Sequence, residues 1–190
     1  MLEHLFALDR ALFFLIHRGL ANRFFDLIFP VITNGVFWIA PAILGAALFW
    51  KQDPRRAPRV LLLALLLITV TDPLSSRAIK SQFKRFRPCD PRAGLENVHS
   101  LIGTRTSPSF PSSHAVNSFA LASFFAFLYP RRRVITTGAI IAALVGFSRV
   151  YVGVHFPGDV AAGALMGVGL GLGFAVLAKK TVLRRIEAQP

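Results

Sequence analysis

Long apolar runs separated by short basic clusters dominate the chain from residue 27 onward. A membrane-spanning helix needs about 20 predominantly apolar residues. Five runs approach that length with few charged residues, and each predicts a span: 27–50, 60–79, 113–129, 134–151 and 160–178. Pro30, Asn34-Gly35 and Pro41 predict an irregular start to the first span. The pattern therefore predicts an all-α fold, a polytopic transmembrane helix bundle over residues 27–180.

The two ends of the chain have a different character. Residues 1–26 alternate apolar runs with polar positions, which include Asp9, His17 and Arg23. This alternation favours an amphipathic helix lying in the membrane interface over a sixth span. No basic segment followed by a small-residue cleavage site opens the sequence, so we do not expect a cleaved signal peptide. Residues 181–190 are expected to form a basic cytoplasmic tail.

Composition agrees with a membrane protein. The chain has 54% hydrophobic and 16% charged residues, which is too apolar for an ordinary soluble fold. Its formal net charge of +13 would suggest nucleic acid for a soluble protein, but the basic residues cluster at the ends of apolar runs. We therefore expect the bilayer and its anionic headgroups as partners, and no nucleic acid. Cys89 is the single cysteine and cannot form an internal disulfide, so either redox compartment is compatible.

The basic clusters also predict an orientation. They follow the first, third and fifth spans and comprise residues 51–59, 131–133 and 179–185. Successive crossings put all three on one side, which the positive-inside rule assigns to the cytoplasm. Segments 80–114 and 149–159 then share the opposite side. This predicts an integral inner (plasma) membrane protein with a cytoplasmic C-terminus and polar motifs facing the periplasm or exterior.

Three short motifs beside the apolar runs concentrate residues that bind phosphate. In order they are Lys80-(six residues)-Arg87-Pro88, Pro111-Ser112-Ser113-His114, and Ser148-Arg149-(five residues)-His155-(three residues)-Asp159. A transferring phosphoryl group spreads negative charge over its oxygens, so cationic donors around those oxygens stabilise it. The motifs therefore predict a phosphoryl-transfer site near the headgroup plane.

These motifs resemble the signatures of the type 2 phosphatidic acid phosphatase superfamily, over about residues 60–178. The spacing agrees in the first and third motifs, while Ser113 stands where glycine is most familiar. The resemblance implies an integral-membrane lipid phosphatase acting through a phosphohistidine intermediate. Its implied substrates are lipid phosphates and diphosphates. Undecaprenyl diphosphate is preferred here, with phosphatidylglycerophosphate, phosphatidate and lipid A 1-phosphate as alternatives.

The two imidazoles and the carboxylate are the predicted catalytic residues. His155 is the expected nucleophile, because a neutral imidazole can attack phosphorus and divide hydrolysis into two easier steps. Asp159 lies four residues on, where its carboxylate can reach back and fix the tautomer of that ring. The resemblance gives His114 the role of protonating the leaving oxygen and then activating water. A histidine near a helix start can also be a packed polar residue.

Fixed cations and hydroxyls are the predicted phosphate ligands. Lys80, Arg87 and Arg149 form the expected clamp, and Arg149 is notable because it interrupts an apolar run, where a charge is usually functional. Ser112 and Ser113 are expected to bind phosphate at a helix start, although a side-chain cap is the alternative. The remaining basic residues of this region are interpreted as surface charges: Lys84, Arg85 and Arg92.

Some features leave alternatives open. Asp72 can pair with Arg77 or Lys80, or simply line the bundle. The segment 82–110, rich in turn residues, is either a lid over the headgroup or a plain connection. Glycines at every fourth position let a helix approach span five closely, either within the chain or from a second subunit: Gly163, Gly167 and Gly171. The oligomeric state is therefore open.

No metal and no other cofactor is expected at this site. Fixed cations can supply the charge that magnesium supplies in kinases, and they would repel a metal ion. The histidines also lack a carboxylate-rich partner motif. Two other interpretations compete with a lipid phosphatase. A vanadium haloperoxidase would be a soluble protein, which five spans argue against. A silent lipid-binding or transport protein would not need both His114 and His155 intact.

Overall fold

The computed structural model describes residues 2–183, and within that range the chain is helical with no strand. Residues 2–183 contain seven α-helices: α1 (Leu2–His17), α2 (Arg23–Ile32), α3 (Ile39–Gln52), α4 (Ala57–Pro73), α5 (Ser113–Leu128), α6 (Arg132–Tyr151) and α7 (Pro157–Ala178). Short 3₁₀ turns cover Gly35–Trp38 and Pro91–Ala93, and π-helical turns cover Leu74–Ile79 and Lys179–Leu183. The predicted all-α class is confirmed. Most of the predicted basic tail lies outside the described residues.

Among the described residues, four helical stretches are long and apolar enough to cross a bilayer: Gly35–Gln52, Ala57–Ile79, Arg132–Tyr151 and Pro157–Thr181. They correspond to four of the five predicted spans. The remaining predicted span, 113–129, corresponds to α5, whose 16 residues fall short of the roughly 20 that a lone span requires. Helix α5 packs against three of these helices, α4, α6 and α7. The count of five or six spans stays a prediction.

The first span begins irregularly, as predicted. Helix α2 contains Pro30 and ends at Ile32. The Asn34 side chain then accepts a hydrogen bond from the Val36 N–H at 3.0 Å and caps a 3₁₀ turn, after which α3 begins. The break places Thr33 at the junction, buried among the helices.

The glycine stripe of α7 packs against the backbone of α5. A Cβ atom at Gly163, Gly167 or Gly171 would lie 2.7, 2.3 or 2.2 Å from a backbone carbonyl oxygen of α5 or of its N-cap residue. The stripe therefore serves packing within the chain, one of the two alternatives left by the sequence. Where these helices begin, the Ser112 N–H donates to the carbonyl oxygen of Asp159 at 3.0 Å. This close packing joins the second and third motifs.

Helix α1 packs onto the loop between α6 and α7. Phe13 is fully buried and its ring meets that of Phe156 edge to face. The Nδ1 atom of His17 lies 2.7 Å from the carbonyl oxygen of Tyr151 and is therefore the donor. The other ring nitrogen, Nε2, accepts a hydrogen bond from the His99 N–H. The assignment of residues 1–26 to the membrane interface stays a prediction.

Asp72 connects two helices. Its Oδ1 accepts a hydrogen bond from Asn117 Nδ2 of α5 at 2.9 Å, and the neighbouring Thr71 hydroxyl donates to Asn117 Oδ1 at the same distance. The direct hydrogen-bond partner of Asp72 is therefore Asn117, which belongs to none of the three motifs. After this contact, the π-helical turn changes the phase of the helix before Lys80.

Candidate active site

His155 lies buried between α6 and α7, with 1% of its surface exposed. Its Nε2 is 2.9 Å from Arg87 Nη1. A guanidinium can only donate, so Nε2 is the accepting nitrogen and the ring proton is on Nδ1. Burial lowers the pKa of His155 to about 3; the charge of Arg87 adds to this effect and Asp159 opposes it. At neutral pH the imidazole is therefore uncharged, with the lone pair of Nε2 facing a cation.

Asp159 lies on the other side of this ring, as predicted. Its Oδ2 is 3.6 Å from His155 Nδ1 and accepts hydrogen bonds from the Phe156 N–H at 2.8 Å and from Ser109 Oγ at 2.5 Å. The Ser109 hydroxyl is also 3.4 Å from Nδ1, so it lies between the two groups. Pro157 begins α7, which brings Asp159 back toward the ring as the sequence predicts. Ser109 was missed because nothing distinguishes it from other serines in its segment.

Three cations of the site are buried and interact electrostatically with one another: Lys80, Arg87 and Arg149. Arg87 Nε donates to the Ser107 carbonyl oxygen at 2.9 Å, and its Nη1 donates to that of Val154 at 3.0 Å. Burial lowers the pKa of Lys80 to about 8, and the charges of Arg87 and Arg149 add to the effect. Like charges held together away from water strongly favour an anion between them.

Arg149 has a partner that the sequence did not reveal. Its Nη1 donates to Thr33 Oγ1 at 2.6 Å. Thr33 belongs to no motif and is 116 residues away in the chain. Only the break between α2 and α3 brings it to this end of the bundle. Thr33 thus fixes one edge of the Arg149 guanidinium.

The two serines do not cap α5 through their side chains. Among the described residues, three buried side-chain polar atoms make no hydrogen bond to protein: Ser112 Oγ, Ser113 Oγ and Arg149 Nε. Ser112 is the N-cap residue, yet its hydroxyl makes no capping bond, so a side-chain cap is the wrong alternative. Buried polar atoms without partners are rare. All three belong to residues predicted to bind phosphate, and phosphoryl oxygens would satisfy them at the positive end of α5.

His114 occupies the first turn of α5 and is exposed, in contrast to His155. It interacts electrostatically with Arg149, Lys80 and Arg87, so it lies beside the same cations. One imidazole is therefore enclosed while the other can exchange protons with solvent. This pair suits a nucleophile and a general acid–base.

Arg85 is not the surface charge that the sequence suggested. Its Nη1 donates to Asp159 Oδ1 at 2.8 Å and its Nη2 to Asp9 Oδ2 at 2.5 Å, while the guanidinium lies 4.2 Å from the centre of the Phe156 ring. The interpretation of Arg85 as a surface charge was wrong. Its partner Asp9 is 76 residues away in the chain, so motif spacing could not reveal the ion pair. Arg92 is exposed and pairs with Asp90, and Lys84 is exposed, as predicted.

The segment 82–110 contributes to the site directly. It supplies Arg85, Arg87 and Ser109, and it is tied to the bundle where the Leu101 N–H donates to the Val152 carbonyl oxygen at 3.3 Å. It is therefore more than a plain connection. Within the described part of the chain, no three histidine, cysteine, aspartate or glutamate side chains cluster as a metal site would require.

Apolar helices of spanning length, together with buried cations facing a histidine, define a membrane protein with an anion-binding site. The family model of the PAP2 superfamily matches residues 60–182, and the chain belongs to that family. It is 28% identical over 187 residues to lipid A 4'-phosphatase of Bacteroides thetaiotaomicron, which covers 97% of this chain and 83% of that protein. It is 35% identical over 77 residues to undecaprenyl-diphosphatase BcrC of Bacillus subtilis, covering 40% and 39% respectively.

The fold is shared with a solved member of the group. The crystal structure of Aquifex aeolicus LpxE superposes with a TM-score of 0.66 at 28% identity, over 88% of this chain and 94% of that one. The resemblance predicted from the three motifs is confirmed. The chain is an integral membrane phosphatase, rather than a soluble haloperoxidase or a silent binding protein.

Proposed function

We propose that the protein removes a phosphate group from a membrane lipid through a phosphohistidine formed at His155. The proposal rests mainly on the His155 imidazole, which is buried and uncharged, with Nε2 facing Arg87 and Nδ1 facing Asp159. A nucleophile needs a free lone pair toward the phosphorus and a fixed proton on the opposite nitrogen.

In the first step, His155 Nε2 attacks phosphorus, and a P–N bond forms as the bond from phosphorus to the lipid oxygen breaks. The electron pair of that bond stays on the leaving oxygen, and His114 donates the proton that neutralises it. Water then gives a proton to His114 and attacks the phosphohistidine, which releases inorganic phosphate and regenerates the neutral ring. Asp159 stabilises the charged imidazole between the two steps.

The cations act on the phosphoryl oxygens. Negative charge spreads over these oxygens in the transition state, where Lys80, Arg87 and Arg149 would bind them. The Arg87 group that now contacts Nε2 would move onto an oxygen, and the Ser112 and Ser113 hydroxyls would complete the set. The donors in this scheme are all protein groups, so we propose catalysis without a metal.

We propose that this chemistry takes place on the extracytoplasmic side. Helix α4 runs from the basic cluster at residues 51–59 toward Lys80, and α5 runs from the site toward the cluster at 131–133. The site and these clusters therefore lie at opposite ends of the helices. The positive-inside rule favours a cytoplasmic position for the clusters.

Two lipid substrates are proposed. Undecaprenyl diphosphate is the preferred substrate among those that the family resemblance implied, and similarity to the undecaprenyl-diphosphatase of Bacillus subtilis supports it. Similarity along nearly the whole chain to a lipid A 4'-phosphatase supports a phosphate ester on lipid A. In both substrates a terminal phosphoryl group would contact the same cations. The leaving group differs, because undecaprenyl diphosphate would release a lipid phosphate and lipid A would release a sugar hydroxyl.

Phosphate release by the purified protein in detergent tests the proposal. Undecaprenyl diphosphate, lipid A and phosphatidylglycerophosphate would be compared in the presence of EDTA. His155→Gln should abolish release, whereas His99→Gln, an exposed histidine of the segment 82–110, should retain it. Activity that EDTA removes and magnesium restores would contradict the metal-free chemistry. Full activity of a folded His155→Gln protein would contradict the proposed nucleophile.

A further inference from the structure

An acidic residue of the N-terminal helix is connected to the active-site carboxylate through Arg85. The guanidinium of Arg85 lies between Asp9 of α1 and Asp159 of α7 and donates one hydrogen bond to each. Asp9 uses its second oxygen to accept the Gly158 N–H at 2.7 Å. Helix α1 therefore contacts both the arginine and the turn that carries Asp159.

The arrangement fixes both oxygens of a fully buried carboxylate. The Asp159 side chain has 0% exposure; its Oδ1 accepts from Arg85, while its Oδ2 accepts from Ser109 and the Phe156 N–H. These partners bind different oxygens, so together they oppose rotation of the carboxylate group. In the orientation that they fix, Oδ2 faces His155 Nδ1 at 3.6 Å.

Arginine is the side chain that this position requires. Its planar fork presents two N–H groups to two separate carboxylates, whereas lysine offers a compact point charge. The Arg85 side chain is 21% exposed and packs at 4.2 Å over the Phe156 ring, which limits its freedom further. Nothing in these contacts involves the phosphate-facing side of His155, where Arg87 lies.

We propose that Arg85 and Asp9 are positioning residues: Arg85 orients Asp159 against His155, and Asp9 holds Arg85 in place. The inference rests on the proposed function, in which Asp159 orients and stabilises the nucleophilic ring. It makes helix α1 part of the catalytic apparatus, although α1 lies outside the segment matched by the family model. Misplacement of a catalytic group by about 1 Å can cost on the order of 100-fold in rate.

Steady-state kinetics of Arg85→Lys would test the inference, with Arg92→Lys as its control. Arg92 belongs to the same segment, pairs with an aspartate and lies over a phenylalanine ring, but it is exposed and its side chain donates to Asp90 and the Thr106 carbonyl oxygen. We expect Arg85→Lys to lower kcat roughly 10- to 100-fold. KM and inhibition by inorganic phosphate should stay near wild type, because Arg85 does not bind the phosphoryl group. Arg92→Lys should leave all three unchanged.

Asp9→Asn provides an independent measurement that does not alter Arg85. It keeps an acceptor for the Gly158 N–H but removes the charge that holds the guanidinium, so kcat should fall by a smaller factor. Because the two residues act in series, Asp9→Asn combined with Arg85→Lys should be no slower than Arg85→Lys alone. If kcat of the double variant fell by the product of the two single losses, Asp9 and Arg85 would act independently, which would contradict their action in series.

Three results would overturn the inference. One is a kcat for Arg85→Lys equal to that of Arg92→Lys. Another is a rise in KM and in the phosphate inhibition constant that matches the loss in rate, which would make Arg85 a phosphate ligand. The third is a loss explained by unfolding at the assay temperature together with a normal kcat for Asp9→Asn. An active His155→Gln would instead overturn the proposed function itself, whatever Arg85→Lys does.

Discussion

Lys80 differs from the two arginines of the site because its charge changes within the range of ordinary assays. Its pKa is lowered to about 8, by burial first and then by the charges of Arg87 and Arg149. In the proposed site the protonated form would bind a phosphoryl group, and a bound anion would in turn favour protonation. Lys80 therefore links substrate binding to pH.

We predict that KM rises as the pH increases above about 8. Lys80 becomes neutral there in the free enzyme, and binding must then take up a proton. The second ionisation of a phosphate monoester, near pH 6, lies well below this range. Lys80→Arg keeps its charge, so its KM should stay flat between about pH 7 and 9. If KM rose identically at alkaline pH in wild type and in Lys80→Arg, the effect would belong to another titrating group.

Arg149→Lys should lower kcat about 10²- to 10³-fold, roughly 3 to 4 kcal/mol, by analogy with the loss of one oxyanion donor. Lysine keeps the charge but cannot contact Thr33 and an oxygen with the geometry of a guanidinium. Thr33→Val should lower kcat by a smaller factor, because it removes the hydrogen bond from Arg149 to Thr33 but keeps Arg149 itself. Kinetics and melting curves in the same detergent separate the effects. A stability loss that alone accounts for the defect would make Arg149 a structural residue.

At the scale of helices, the close approach of α5 and α7 fixes the site. The start of α5 carries Ser112, Ser113 and His114, and the start of α7 carries Asp159. Their separation depends on glycine at three positions of α7, where a side chain would meet the α5 backbone. Packing along the whole contact is thus connected to the chemistry at its end.

Gly167→Ala should destabilise the protein by about 1 to 3 kcal/mol, the usual range for overpacking. The new Cβ would lie 2.3 Å from the Val116 carbonyl oxygen, and backbone cannot move aside cheaply. Gly169→Ala is the matched control in the same helix, because a Cβ there meets no atom within 4 Å. Equal melting temperatures for the two variants would show that α5 and α7 pack less closely than described.

The sequence predicted those parts of the site that lie within motifs. Motif spacing identified Lys80, Arg87, Arg149, His155 and Asp159. Pro157 begins α7 and turns Asp159 back toward His155, and the apolar runs bring the other segments to one end. Residues that contact the site from distant parts of the chain belong to no motif, so spacing could not identify them. Thr33 and Asp9 reach the site only after α1, α2 and the segment 82–110 have packed, so neither they nor the role of Arg85 could be inferred from spacing.

At the scale of the whole molecule, the orientation in the bilayer determines which leaflet supplies the substrate. We predict that the segment 82–110 faces outward and the cluster at 51–59 faces the cytoplasm. In a Cys89→Ser background, a membrane-impermeant maleimide applied to intact cells should label Lys84→Cys but not Lys51→Cys; both positions are exposed. Permeabilised cells should show labelling of both. The reverse pattern in intact cells would put the chemistry in the cytosol.

The proposed chemistry requires a covalent bond between phosphorus and His155 during turnover. Purified protein would be mixed with radiolabelled lipid substrate and quenched in alkali within one turnover, and the labelled peptide would then be sequenced by mass spectrometry. We expect an alkali-stable, acid-labile phosphoryl group on His155, formed in wild type and in His99→Gln but absent from His155→Gln. Label on another residue, or turnover at the wild-type rate by folded His155→Gln, would contradict it.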